Sequence, residues 1–360
     1  MPISRRGFIK ELALASFLPR LSSTPGGNGS GTEFFSEPFD RIAERPMIKP
    51  PRLKAGDTVG LINPAGATYS KTDIQILEES LAALGLGVKL GEHILDRYGY
   101  LAGKDEDRAQ DVNAMFCDSS VNAIMAVRGG WGSNRILSLL DYEMIQKHPK
   151  ALIGYSDITS LLVAIYARCG LVTFHGPVGI STWNQFSVEY FRRILFDAEA
   201  VTLQNPTDRG DNLAQTTDRV ETITAGRTRG KLVGGNLSVL TAMVGSQYLP
   251  NWEKVILFLE ETDEQIYRVD RMLSQLRLSG VLEKVAGVVF GKCTNCTPGE
   301  GYGSLTLEEV LRDHLQRLGV PSWYGSMIGH VEKKFTVSLG VEAEIDAEVG
   351  TIRMLESAVV

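Results

Sequence analysis

Ala151-Leu152-Ile153-Gly154-Tyr155-Ser156-Asp157-Ile158-Thr159 is the stretch whose reading decides the fold. A short apolar run stops at Gly154, and a helical pattern, Ile158-Thr159-Ser160-Leu161-Leu162-Val163-Ala164-Ile165, begins almost at once. So abrupt a strand-to-helix turn lifts Ser156 from the sheet edge beside a helix N-terminus. A hydroxyl placed there is exposed, and backbone N–H groups point at whatever it attacks. Ser156 or Asp157 would serve equally as a helix cap, which these residue types do well. The choice between nucleophile and cap rests on the rest of the chain.

Upstream, Thr58 to Gly66 reads as a buried strand ended by turn residues. A helix is expected from Lys71 to Leu84, with Ile74, Leu77, Leu81 and Leu84 on one face. A strand near Val88-Lys89-Leu90, a helix from about Lys104 to Phe116 and the apolar strand Ala123 to Val127 follow. Strands alternating with helices, and apolar on both faces, predict a parallel α/β sheet covered on both sides. Ligands of such sheets gather at the carboxyl ends of the strands. Ser156 occupies one such end, and Arg128-Gly129-Gly130-Trp131-Gly132-Ser133-Asn134-Arg135 occupies another. The glycine spacing is not that of a dinucleotide loop, and no strand-ending acid stands where a ribose would need it. A better use is one N–H of an oxyanion hole from Gly130, with the N–H of Asp157 as the other. The alternative is a glycine-rich turn without a ligand. Arg128, Trp131 and Asn236 are candidate substrate contacts, although an arginine beside a glycine turn is more often structural.

The 360 residues suffice for two domains, and 43% hydrophobic with 22% charged residues describes a soluble globular protein. A formal charge of -6 gives no support for nucleic-acid binding. Cys117 and Cys169 sit in apolar helical patterns and are expected to be packed, reduced residues. Cys293 and Cys296 form a single C-x-x-C without the second pair that a structural zinc site needs. They are either a local disulfide or two free thiols. Arg5-Arg6-Gly7-Phe8-Ile9-Lys10 and the apolar stretch Leu12 to Leu18 resemble a twin-arginine export signal, too short for a permanent membrane anchor. Residues 1–22 are therefore read as a leader and a periplasmic or exported location is expected, the alternative being cytoplasmic. Residues 23–52, rich in Gly, Ser and Pro, are read as a flexible linker. Residues 53–184 form the first domain, 185–225 a polar inter-domain linker, and 226–360 the second domain.

In that second domain the strand Lys254 to Leu259 ends in Glu260-Glu261, and alternation lets only one carboxylate face the cleft. Five histidines make the search for a base short. His93 and His148 lie in polar stretches, His314 is expected on a solvated helix face, and Gly-Pro after His175 suggests a structural turn. His330, after Gly329 at the end of an extended run, is the best base. The chain order Ser156, Glu260, His330 matches one order in which the nucleophile–acid–base arrangement occurs.

The blocks Arg128-Gly129-Gly130-Trp131-Gly132, Gly154-Tyr155-Ser156-Asp157-Ile158-Thr159, Gly234-Gly235-Asn236-Leu237, Leu257-Phe258-Leu259-Glu260-Glu261 and Gly329-His330 together resemble the LD-carboxypeptidase family of serine peptidases. That family includes murein tetrapeptide carboxypeptidases and microcin C immunity peptidases. The likeness runs from about Lys54 to the C-terminus. It implies a Ser-His-Glu triad of Ser156, His330 and Glu260, the acid being the first carboxylate after the apolar run. It also implies a Rossmann-like parallel α/β domain with the nucleophile on its elbow, a C-terminal swivelling β/α domain, and commonly a homodimer. The implied reaction releases a terminal D-amino acid from a muropeptide through an acyl-enzyme, with no metal or organic cofactor. Alternatives are a peptidase for a peptide or aminoacyl-nucleotide antibiotic and, from another class, a non-catalytic periplasmic peptide-binding protein. An α/β-hydrolase esterase fits less well, because Ile158 stands where a glycine would follow the nucleophile by two positions.

Overall fold

Two sheets meet across one buried helix. The computed structural model describes residues 45–299 and 303–360, so the expected leader and most of the expected linker lie outside the described residues. The strands are β1 Thr58–Ile62, β2 Gly87–Leu90, β3 Ala123–Ala126, β4 Ala151–Gly154, β5 Thr173–His175, β6 Thr202–Gln204, β7 Glu221–Thr224, β8 Arg227–Asn236, β9 Ile256–Thr262, β10 Gly287–Thr294, β11 Ser322–Tyr324, β12 Val337–Leu339, β13 Glu342–Asp346 and β14 Thr351–Met354. The helices are α1 Lys71–Ala83, α2 Asp105–Cys117, α3 Tyr142–Lys147, α4 Thr159–Cys169, α5 Gln185–Leu195, α6 Leu237–Ala242, α7 Ile266–Leu278 and α8 Leu307–Leu315.

The first sheet runs β12-β5-β4-β3-β1-β2, parallel except for β12, which pairs antiparallel with β5. β3 and β4 are buried along their whole length, as continuous apolar runs require. The second sheet runs β6-β14-β13-β8-β9-β10-β11-β7, with β8 to β11 parallel and antiparallel strands on both flanks. Both parallel blocks present their carboxyl ends to the same place. α4 is buried except at Tyr166 and Arg168, and it packs on β5 and β12 of one sheet and β8 of the other. A helix apolar nearly all round has to be covered on every side. Here that coverage joins the described residues into a single compact unit.

Several expectations are corrected. Residues 185–225 are no linker. They form α5, β6 and β7, and α5 buries Tyr190, Phe191, Ile194 and Leu195 at helical spacing. The chain is anchored before residue 53, since Ile48 bridges Leu171 and the N–H of Arg52 donates to the carbonyl of Val360. β12, from the C-terminal part of the sequence, completes the first sheet, so the two parts interleave. β2 is an exposed edge rather than a doubly buried strand. Cys117 is exposed, whereas Cys169 is buried as expected, its thiol pushed up to about 12 by burial. His314 is buried, with Nε2 2.7 Å from Asp270 Oδ1, and is not on a solvated face. Cys293 and Cys296 are joined in a disulfide. Among the described residues no helix is long and apolar enough to cross a membrane.

Candidate active site

β4 ends at Gly154, and Tyr155 continues extended before the chain turns into the short 3₁₀ segment Ser156–Ile158 and then α4. Ser156 takes φ 65°, a left-handed conformation that a side chain adopts only where the surrounding structure holds it. That backbone stands the hydroxyl above the sheet. The capping alternative fails here, because neither Ser156 nor Asp157 makes a side-chain cap on the segment. Asp157 is buried and turned the other way, with Oδ2 accepting from the Ser133 N–H at 2.8 Å. The Ser133 hydroxyl in turn donates to the carbonyl of Asp157. Burial pushes the Asp157 carboxyl up, against the opposing pull of Ser133. These bonds lock the glycine-rich turn after β3 onto the elbow.

The turn lies very close. A Cβ on Gly129 would stand 2.8 Å from Ser156 Cβ and 2.9 Å from its Oγ, so only glycine fits there. The same Cβ position is 3.5 Å from the backbone nitrogen of Asp157. Gly130, expected with Asp157 to form the oxyanion hole, follows at φ 129° and packs against the backbone of Gly66. Gly129, not singled out beforehand, makes the closest approach.

The acid and the base come from the other sheet. Glu260 lies near the end of β9, opposite Asn236 of β8, and is wholly buried. His330 lies on the loop between β11 and β12. Its Nδ1 is 2.8 Å from Glu260 Oε2, and its Nε2 is 2.9 Å from Ser156 Oγ. Burial alone would push the Glu260 carboxyl up, but the hydrogen bond and charge of His330 outweigh it and hold the group below its usual range. Gly329 is needed beside this contact, because at φ 114° a Cβ would stand 2.5 Å from Glu260 Oε2. The His330 carbonyl accepts from the Thr294 hydroxyl at 2.9 Å, so the cysteine turn supports the loop. Asn205, from the supposed linker, braces the same loop through the carbonyl of Gly325 and the N–H of Met327.

Glu261 points to the opposite face. It is also buried, accepting from Ser238 N and Oγ, Asn236 Nδ2 and Thr262 N. Asn236, a candidate substrate contact, belongs to this network and pairs across the sheet with Glu260. Its side chain is buried, its amide binds Glu261, and its Oδ1 caps α6 on Val239. Arg128 is half-buried and donates to the Ala67 carbonyl at 3.1 Å. Trp131 is 70% exposed and meets Tyr100 edge-on, with ring centroids 6.3 Å apart. His175, passed over as a turn residue, is fully buried beside Gly154, its ring 6.0 Å from that of Tyr155. Its environment pulls it down to about 4, burial being the chief cause, so it is neutral. Among the described residues, His93, Asp96 and Asp107 form a group able to hold a metal ion, and it shares no member with the site.

Ser, His and Glu in a continuous hydrogen-bonded row are the parts of a serine peptidase. The comparisons agree. Models of the LD-carboxypeptidase N-terminal and C-terminal domains match residues 59–176 and 229–345. A probable murein peptide carboxypeptidase of Bacillus subtilis is 38% identical over 306 residues, covering 83% of this chain and 91% of that protein. The chain belongs to the LD-carboxypeptidase family. Another of its relatives, a murein tetrapeptide carboxypeptidase of Pseudomonas aeruginosa, is 33% identical over 76% of this chain and 87% of its own. The solved structure of the microcin C7 self-immunity protein MccF in complex with aspartyl sulfamoyl adenosine superposes with a TM-score of 0.78 at 28% identity, covering 87% of this chain and all of that one. In this LD-carboxypeptidase the two matched domain segments carry Ser156 in the first and Glu260 with His330 in the second.

Proposed function

We propose that the protein is a serine LD-carboxypeptidase that releases the terminal D-amino acid from murein peptides. The observation that carries the reading is the row Ser156 Oγ, His330 Nε2, His330 Nδ1, Glu260 Oε2, with contacts of 2.9 and 2.8 Å. His330 takes the proton of Ser156 as the hydroxyl attacks the amide carbonyl. Glu260 fixes the tautomer of His330 and stabilises the imidazolium. The N–H groups of Gly130 and Asp157 hold the oxyanion, each worth about 10²–10³ in rate. His330 then protonates the leaving amine, and water, activated by the same imidazole, releases the acyl group. The names of the two murein-acting relatives support this substrate. The test is incubation with a murein tetrapeptide and mass analysis of the products. Loss of one D-alanine, together with fluorophosphonate labelling at Ser156, is the expected result; an intact peptide overturns the reading.

A second reading, hydrolysis of an aminoacyl-sulfamoyl nucleotide, is favoured by the likeness to MccF in complex with aspartyl sulfamoyl adenosine. Offering both compounds in one assay separates them by relative kcat/KM. We also infer export through the twin-arginine route. The Arg5-Arg6 sequence and the Cys293–Cys296 disulfide support it, since such bonds persist in oxidising compartments. Changing both arginines to lysine should leave the protein in the cytoplasmic fraction; unchanged export argues against this route.

A further inference from the structure

Lys334 stands four residues beyond His330 and is only 5% exposed. Its Nζ lies 5.2 Å from the centroid of the Tyr155 ring. Tyr155 immediately precedes Ser156, and its ring packs edge-on against the imidazole of His330 at 4.9 Å. The ammonium and the imidazole of His330 therefore pack against the same Tyr155 ring, and the ammonium also acts at longer range on buried His175. Among the described residues it has no hydrogen-bond or ion-pair partner; Glu260 and Glu332 act on it only at longer range. A lysine this buried is rarely left without a carboxylate, because removing a charge from water is costly unless something pairs with it. Burial, the chief cause, pulls it down to about 8, which leaves it mostly protonated at neutral pH.

The chemistry of the reaction says what would pair with it. His330 delivers its proton to the leaving nitrogen, so the departing amino acid lies on the His330 side of Ser156. In an α-amino acid the carboxylate carbon is two bonds from that nitrogen. A free C-terminus thus brings an anion to the side of Ser156 where His330 and the Tyr155 ring stand, and Lys334 packs on that ring without a directly paired carboxylate. Arg128, the cation expected from the sequence, is engaged with the Ala67 carbonyl.

We propose that Lys334 binds the α-carboxylate of the departing C-terminal residue and so restricts the enzyme to chain ends. This rests on the carboxypeptidase reading above and names the group that gives it its exo-specificity. The same lysine makes a C-terminal amide, or an internal bond with more chain beyond it, a poor substrate, since the ammonium then stays unpaired in a desolvated site.

The test compares a murein tetrapeptide ending in D-alanine with the same peptide ending in D-alaninamide, for the wild type and for Lys334→Met. The wild type should favour the free acid by about 10²-fold in kcat/KM, chiefly through KM. In Lys334→Met the acid should fall to the level of the amide, so the preference disappears. An equal fall on both peptides, or a preference that survives, would show a structural role and overturn the proposal. Fluorophosphonate labelling of Ser156 reports whether the variant site is folded; if Lys334→Met fails to label, Lys334→Gln carries the same comparison. A wild type inert on both peptides overturns the carboxypeptidase reading itself, which keeps the two failures apart.

Discussion

Glu260 and Glu261 are neighbours on one strand, both buried, yet they do opposite work. Glu260 faces His330 with one oxygen, and its other oxygen, Oε1, has no hydrogen-bond partner among the described residues. Glu261, on the far face, is surrounded by four donors that stitch β8, α6 and β9 together. Burial pushes the Glu261 carboxyl up, whereas His330 holds that of Glu260 down. The difference teaches that burial alone does not make an acid catalytic. A carboxylate saturated by fixed donors is part of the scaffold, while one that keeps its charge for a titrating partner can follow a proton transfer.

The sharpest way to break this comparison is to silence the group that both the imidazole and the acid serve. Ser156→Ala should lower kcat by about 10⁶, with the melting temperature kept, measured on the tetrapeptide and by thermal unfolding. Retained activity would leave the Glu260–His330 pair without a task.

Next comes the pair itself. Glu260→Gln keeps the shape but loses the charge on the imidazole, and should cost about 10⁴ in kcat with little change in unfolding. Glu261→Gln should do the reverse. It turns an NH₂ towards donors, costing about 1–3 kcal/mol of stability in denaturant titration while kcat changes much less. Equal effects of the two variants on kcat would sink the distinction.

The smallest effect concerns pH. His175 sits beneath Tyr155 with both ring nitrogens unpartnered among the described residues, and its folded pKa of about 4 lies below the ordinary 6.5. Between those values the unfolded chain binds more protons than the folded one, so stability rises with pH across the window and is lost as pH falls from 6.5 to 4. His175→Leu should flatten that limb of the melting-temperature profile. An unchanged slope would assign the acid limb to other groups.

The sequence by itself determined the parallel α/β character of the first sheet, the elbow at Ser156 and the choice of His330 among five histidines, because each is written in local pattern. Apolar runs predict strands, an apolar run that stops one turn before a helix predicts an elbow, and alternation separates Glu260 from Glu261. Composition misled at residues 185–225, where polar residues outnumber the Tyr190, Phe191, Ile194 and Leu195 stripe that buries α5. The fate of His314, which meets Asp270 across two helices, and of Asn236, which serves Glu261, depends on partners 44 and 25 residues away. Only the tertiary structure decided these, along with the antiparallel return of β12 to the first sheet and the placing of Lys334 beside Tyr155. Periodicity records which face of an element is buried, but not which element will cover it. A site assembled from two sheets is made of that second kind of information.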